Sequence, residues 1–169
     1  MANAFFSGRY NTGAADPIRS PKGGFPLSGK GHLNGDALVA TIPTTSLDAN
    51  TDRHFLCPMP SAGKIGGPSA WRLLGFWLKS DDLDSGGGAA LDADLVWQYY
   101  AVGVLTEDAT PLYDASVQGA FSAAIPVKWV NVNREIPPSD DGLCHVVLKI
   151  LTAASTPAAG DITFIPVWV

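Results

Sequence analysis

The sequence predicts an all-β chain: an antiparallel β-sandwich, jelly-roll-like, with an extended N-terminal arm. Three observations predict it. Short apolar or alternating runs, separated by turn residues, recur from residue 37 onward and suffice for about seven or eight strands. Little sequence is left over for long helices. The Cys–Trp–Cys spacing of immunoglobulin domains is missing, which favours a jelly roll among the sandwiches.

Two parts follow from this reading, an arm over residues 1–36 and a sandwich body over residues 37–169. The arm is rich in glycine and proline, as in Pro21-Lys22-Gly23-Gly24-Phe25-Pro26, and has neither helical nor strand periodicity. It nevertheless carries Phe5, Phe6, Tyr10, Phe25 and Leu27, more ring and apolar surface than a solvated tail usually holds. The arm is therefore expected to dock its rings, either on its own body or on a neighbouring protein.

Within the body, residues 37–43 and 52–59 read as short strands, the second closed by Pro58 and Pro60. Residues 63–69 form a loop. Residues 71–79 are apolar at nearly every position, including Phe76 and Trp77, as expected of a strand covered on both faces. A polar, glycine-rich turn fills residues 80–90. Residues 91–99 then alternate: Leu91, Ala93, Leu95, Trp97 and Tyr99 share one face, and Asp92, Asp94 and Gln98 the other.

Asp114 is placed to cap a short helix over residues 115–118, with Gly119 weakening its continuation. Residues 125–132 return to strand. Pro137-Pro138-Ser139-Asp140-Asp141-Gly142 is a turn. Residues 143–151 form a strand whose Cys144, Val146, Leu148 and Ile150 make one apolar face. Residues 156–160 turn again, and 161–169 close the chain. Pro166 implies that this last strand lies at an edge, or has an end that is not paired throughout.

A chain of 169 residues buries a real core without staples. Only 16% of residues are charged, below the typical share of about 25%. Two explanations fit: another chain covers part of the surface, or small polar residues replace Lys and Glu, as they do in many β-proteins. The net charge is −5, split between an arm at +2 and a body at −7. An acidic body without any basic run speaks against nucleic-acid binding, since phosphate contacts need clustered Lys and Arg. No run reaches the length of a membrane span. Residues 1–6 have neither the charged start nor the apolar core of a signal peptide, so synthesis in a cytoplasm is expected. Cys57 and Cys144 lack metal-ligand spacing and read as buried thiols, although a sequence alone does not exclude a bridge.

Catalytic groupings are not evident. Cys144 and His145 are adjacent, but on a strand they point to opposite faces and do not meet. There is no Gly-x-Ser-x-Gly elbow, and Gly29-Lys30-Gly31 lacks the ending and the preceding strand of a phosphate loop. Asp81, Asp82 and Asp84 are weak Ca²⁺ candidates, as a flexible loop rich in carboxylates suits a hard cation. The spacing is not that of an EF-hand, and a solvated turn is the alternative. No cofactor is expected. An enzyme would need a pocket joining His54 or His145 to carboxylates.

Several stretches together resemble a known family. An apolar strand, Trp71 onward, runs into Ser80-Asp81-Asp82-Leu83-Asp84-Ser85-Gly86 and then an alternating strand. Later come Ile136-Pro137-Pro138-Ser139-Asp140-Asp141-Gly142, Val146-Val147-Leu148-Lys149-Ile150, and the segment from Thr152 to Thr163. These are similar to the decoration or cement proteins of tailed-phage capsids. The resemblance covers roughly residues 70–169. Trp77, Trp97 and the insert over residues 105–113 depart from the usual pattern.

The resemblance implies a non-enzymatic virion protein made in the host cytoplasm and seated on the capsid exterior. It implies a homotrimer that binds the major capsid protein at three-fold or quasi-three-fold positions. On this reading Phe5, Phe6, Tyr10 and Phe25 are arm anchors, and Arg9 and Arg19 face capsid carboxylates. The alternative is a carbohydrate-binding or host-attachment sandwich. An exposed row of Trp or Tyr on one sheet face would distinguish it.

Overall fold

The computed structural model describes residues 4–6, 38–50, 52–61, 71–86, 88, 90–140 and 142–169. Its strands are β1 (Ala4–Phe6), β2 (Leu38–Ile42), β3 (Arg53–Pro60), β4 (Arg72–Ser80), β5 (Asp92–Ala101), β6 (Val104–Glu107), β7 (Ile125–Glu135), β8 (Leu143–Thr152) and β9 (Gly160–Trp168). One short helix, α1 (Ala115–Gln118), lies between β6 and β7. As the sequence predicts, Asp114 caps it, accepting from the Ser116 N–H at 3.0 Å.

The pairing is that of a long hairpin rolled up on itself. β5 pairs with β6, β4 with β7, β3 with β8 and β2 with β9, all antiparallel and nested one inside the next. Rolling brings β9 beside β4 and β8 beside β5. The result is one sheet ordered β2-β9-β4-β7 and another containing β3-β8-β5-β6. This double Greek key is the jelly roll expected from the strand spacing. β1 adds to the second sheet in parallel along β3, from Ala4 beside Arg53 to Phe6 beside Phe55.

The core lies between the sheets. Phe76 of β4 and Phe164 of β9 meet at 4.4 Å between ring centroids. Trp97, Tyr113, Phe121 and Trp168 are buried around them. Each such side chain contributes roughly 1.5–3 kcal/mol by leaving water. Cys57 and Cys144 are both buried thiols in this core, and burial pushes the Cys57 thiol upward in pKa. They sit diagonally on β3 and β8, since Cys57 faces Val146 and Met59 faces Cys144.

Two sequence expectations need adjusting. β9 is an interior strand, so Pro166 does not mark an edge. Among the described residues β2 pairs from Leu38 opposite Phe164, and Phe76 of β4 stands beside Pro166. β4 was expected to be covered on both faces. It buries Leu73, Phe76 and Leu78 inward but leaves Trp77 43% exposed. Burial on both faces is seen in β8, where Leu143 through Leu148 are all buried.

Candidate interaction surface

The outward side chains of β7, β4 and β9 stand in register. Trp129 pairs with Trp77, and Trp77 with Ile165, so the three form one row across the sheet. Asn131, Gly75 and Val167 form a second row on one side of it. Lys79, Thr163 and Val39 form a third on the other. Because side chains alternate along a strand, burying Phe76 and Leu78 turns Trp77 outward.

The two indoles meet edge to face, with centroids 5.5 Å apart and planes at 61°. Trp129 is 41% exposed, close to Trp77. Gly75 makes room for it: a Cβ there would collide with the Trp129 ring and with the Val130 carbonyl. Val127 is exposed two residues before Trp129, and Val39 is exposed on β2. Lys79 is the charged member of these rows. Lys128 turns the other way, donating to the Tyr113 hydroxyl at 2.8 Å and to the Gln118 carbonyl.

The acidic turn after β4 is tied into the fold by hydrogen bonds. Asp84 is 1% exposed. Its carboxylate accepts backbone N–H groups from Ala90, Leu91, Ser155 and Thr156 at 2.7–3.1 Å, and the Ser155 hydroxyl as well. Asp82 accepts from the Asp84 N–H, and Asp81 from the Asp161 N–H. All three candidate carboxylates thus engage protein donors. Among the described residues no cluster of three or more His, Cys, Asp or Glu is arranged to hold a metal ion. Asp84 and Asp81 thereby join residues 80–86 to residues 152–163.

Of the histidines, His54 and His145 lie among the described residues. His54 is buried with Nδ1 3.2 Å from the Ser46 hydroxyl, and burial lowers its pKa to about 4. His145 packs against the Phe55 ring on the side of β8 opposite Cys144, as strand alternation requires. A groove of about 270 Å³ beside β7, between Leu112 and Val117 on one wall and Val132 and Arg134 on the other, holds Asp114 but no histidine. Among the described residues no helix is long and apolar enough to cross a membrane.

Of the expected arm anchors, Phe5 and Phe6 have described backbones, paired with β3, while their side chains lie outside the described residues. Arg9, Tyr10, Arg19 and Phe25 also lie outside them. Sequence reasoning missed Trp129 as a surface residue. The available clue was Trp77, already out of pattern for the family it resembles.

No family model matches this chain, and no curated protein matches it. Among solved structures it is similar to a chain of the cyanophage Pam1 capsid asymmetric unit, with 20% identity over 78% of this chain and 79% of that one and a TM-score of 0.48. It is likewise similar to a chain in the capsid of Ralstonia phage GP4, with 21% identity over 80% and 85% and a TM-score of 0.49.

Proposed function

We propose that this chain is a phage virion structural protein that decorates and stabilises the capsid by binding the major capsid protein. The observation that carries this reading is the exposed Trp77–Trp129 pair, held on a stiff sheet and flanked by Ile165, Val127 and Val39. Aromatic anchors within an apolar surround are the residues that dominate protein interfaces. The sequence resemblance supplies the partner. The work is mechanical: each copy buries surface against the shell and against its neighbours. A homotrimer on the capsid exterior suits this role, with the arm as a second tether.

The same pair favours a second reading, a glycan-binding sandwich, because two tryptophans do stand exposed on one sheet face. Sugars stack on a ring whose face is open, and the 61° tilt sets the edge of one indole against the face of the other. Aliphatic neighbours also outnumber polar ones. Protein docking is therefore the preferred reading.

Co-sedimentation with empty heads of the phage that encodes the chain tests this. The wild type is expected to pellet with heads, and the W77A/W129A double variant to stay in the supernatant with its melt intact. Wild-type chain that never pellets, while binding host glycans through the same tryptophans, overturns the capsid reading for the glycan one.

A further inference from the structure

We infer that the groove beside β7 binds a neutral polyhydroxyl ligand, a single sugar residue, and that Asp114, Gln118 and Asn131 hold it. The inference does not depend on the capsid reading. The groove, about 270 Å³, is small among ligand pockets and suits one ring. Asp114, Gln118, Asn131 and Arg134 are its polar lining. Asp114 caps α1 and Gln118 ends it, four residues on, so the two stand on one face of the turn.

The hydrogen bonds show which half of each group is already taken. Asp114 Oδ1 accepts the Ser116 N–H at 3.0 Å and the Ser116 hydroxyl as well. Gln118 Oε1 accepts the Asp114 N–H at 3.2 Å. That bond fixes the amide, because a backbone N–H requires the oxygen opposite it. One acceptor, Asp114 Oδ2, and one donor, Gln118 Nε2, are left without a protein partner among the described residues. The Asn131 carboxamide, likewise unpartnered there, supplies one of each.

The segment that carries Asp114 and Gln118 is pinned at both ends. The Tyr113 hydroxyl donates to the Gly119 carbonyl at 2.7 Å, Lys128 Nζ donates to the Gln118 carbonyl, and the Ala115 N–H donates to Asp94 at 3.1 Å. These bonds leave Asp114 Oδ2 and Gln118 Nε2 unused. Polar groups placed in advance lose little freedom on binding.

The pattern of donors and acceptors selects the ligand. An acceptor beside a donor is matched by a hydroxyl, which both donates and accepts. An ammonium group only donates and leaves Gln118 Nε2 unmatched. An anion is repelled by Asp114, and the Arg134 guanidinium is committed elsewhere. It donates to Asp108 at 2.7 Å and to the Thr110 carbonyl at 2.9 Å, and lies 4.9 Å over the Trp97 ring. One carboxylate is too few for a hard cation. Leu112 and Val132 supply apolar wall for the C–H face of a sugar ring.

The test is titration of the full chain with glucose, galactose, mannose and N-acetylglucosamine, followed through the side-chain amide NMR signals of Gln118 and Asn131. At least one sugar is expected to bind with a Kd of about 1–10 mM. D114N and Q118E keep the oxygens that accept within the chain and change only the unpartnered atom. Each should weaken binding about tenfold or more. Each should melt within about 2 °C of the wild type. Inorganic phosphate and methylammonium should leave the signals unmoved. No response to any of the sugars at about 100 mM overturns the inference. So does undiminished binding by both variants, or a response to phosphate or methylammonium. The W77A/W129A variant should bind the sugar as the wild type does, and loss there would move the sugar to the tryptophans and overturn this site. Head co-sedimentation reads the tryptophan face without the groove, so the two proposals fail independently.

Discussion

The carboxylate of Asp84 accepts the backbone N–H of Thr156 at 2.7 Å, tying the turn after β4 to the turn before β9 across 72 residues of chain. Three further backbone N–H groups and a hydroxyl converge on the same buried group. Truncation by D84A leaves these donors without their acceptor, and should cost about 3 kcal/mol in urea unfolding. D84N keeps one acceptor oxygen and should fall between the two. An unchanged D84A midpoint would show that the turns are held by something else.

Asp84 also sets the acid limit of the fold. Burial is the largest single influence on it and raises its pKa, but the N–H groups of Thr156, Ser155, Ala90 and Leu91 together outweigh burial and hold it well below the carboxylate range. A depressed folded value means that the stabilisation is present above the unfolded value of 3.8 and is lost as pH falls below it.

His54 governs a separate window. Its folded pKa, about 4, lies below the ordinary 6.5 because burial disfavours the imidazolium. The unfolded chain therefore takes up a proton before the folded one. Stability should be flat above pH 6.5 and should fall as pH drops toward 4, by roughly 3 kcal/mol in all. H54Q removes that slope and leaves the loss below pH 4 in place. Urea midpoints at pH 7, 5.5 and 4.5 check this, and a wild-type profile that is flat across them would refute it.

The fold was legible because most strands announce themselves through local pattern. Leu91 to Tyr99 alternates cleanly, and Asp114 signals its own helix. The misses are non-local. Nothing beside Asp84 indicates that its donors come from residues 155 and 156. Val102-Gly103 is not a recognised hairpin turn, so β6 was absorbed into an insert. Trp77 follows Phe76 in an apolar run, and burial of one neighbour or the other looks alike until the partner sheet is placed.

Gly75 should tolerate no side chain. A Cβ there meets the Val130 carbonyl, which is backbone and moves only with the strand, as well as the Trp129 ring. G75A is expected to destabilise by about 1–3 kcal/mol, the usual range for overpacking. It should also shift indole fluorescence by displacing Trp129 from Trp77. G75A in a W129A background should recover part of the lost stability, since one of the two collisions is gone. Equal losses in both backgrounds would place the whole penalty on the backbone contact.

The arm offers a test of where its aromatic rings belong. β1 contributes three residues at the end of its sheet, added along β3, and among the described residues the core is formed from Leu38 onward. Deleting residues 2–30 should therefore leave a cooperative melt with the buried set around Phe76, Trp97 and Phe164 intact. If the anchors Phe5, Phe6, Tyr10 and Phe25, with Arg9 and Arg19, face the shell, the shortened chain should release from phage heads at lower denaturant or higher salt than the full chain. The salt dependence separates the two kinds of anchor, because the arginine contacts are screened and the aromatic ones are not. Loss of the cooperative melt on deletion would instead assign the rings to the chain's own body.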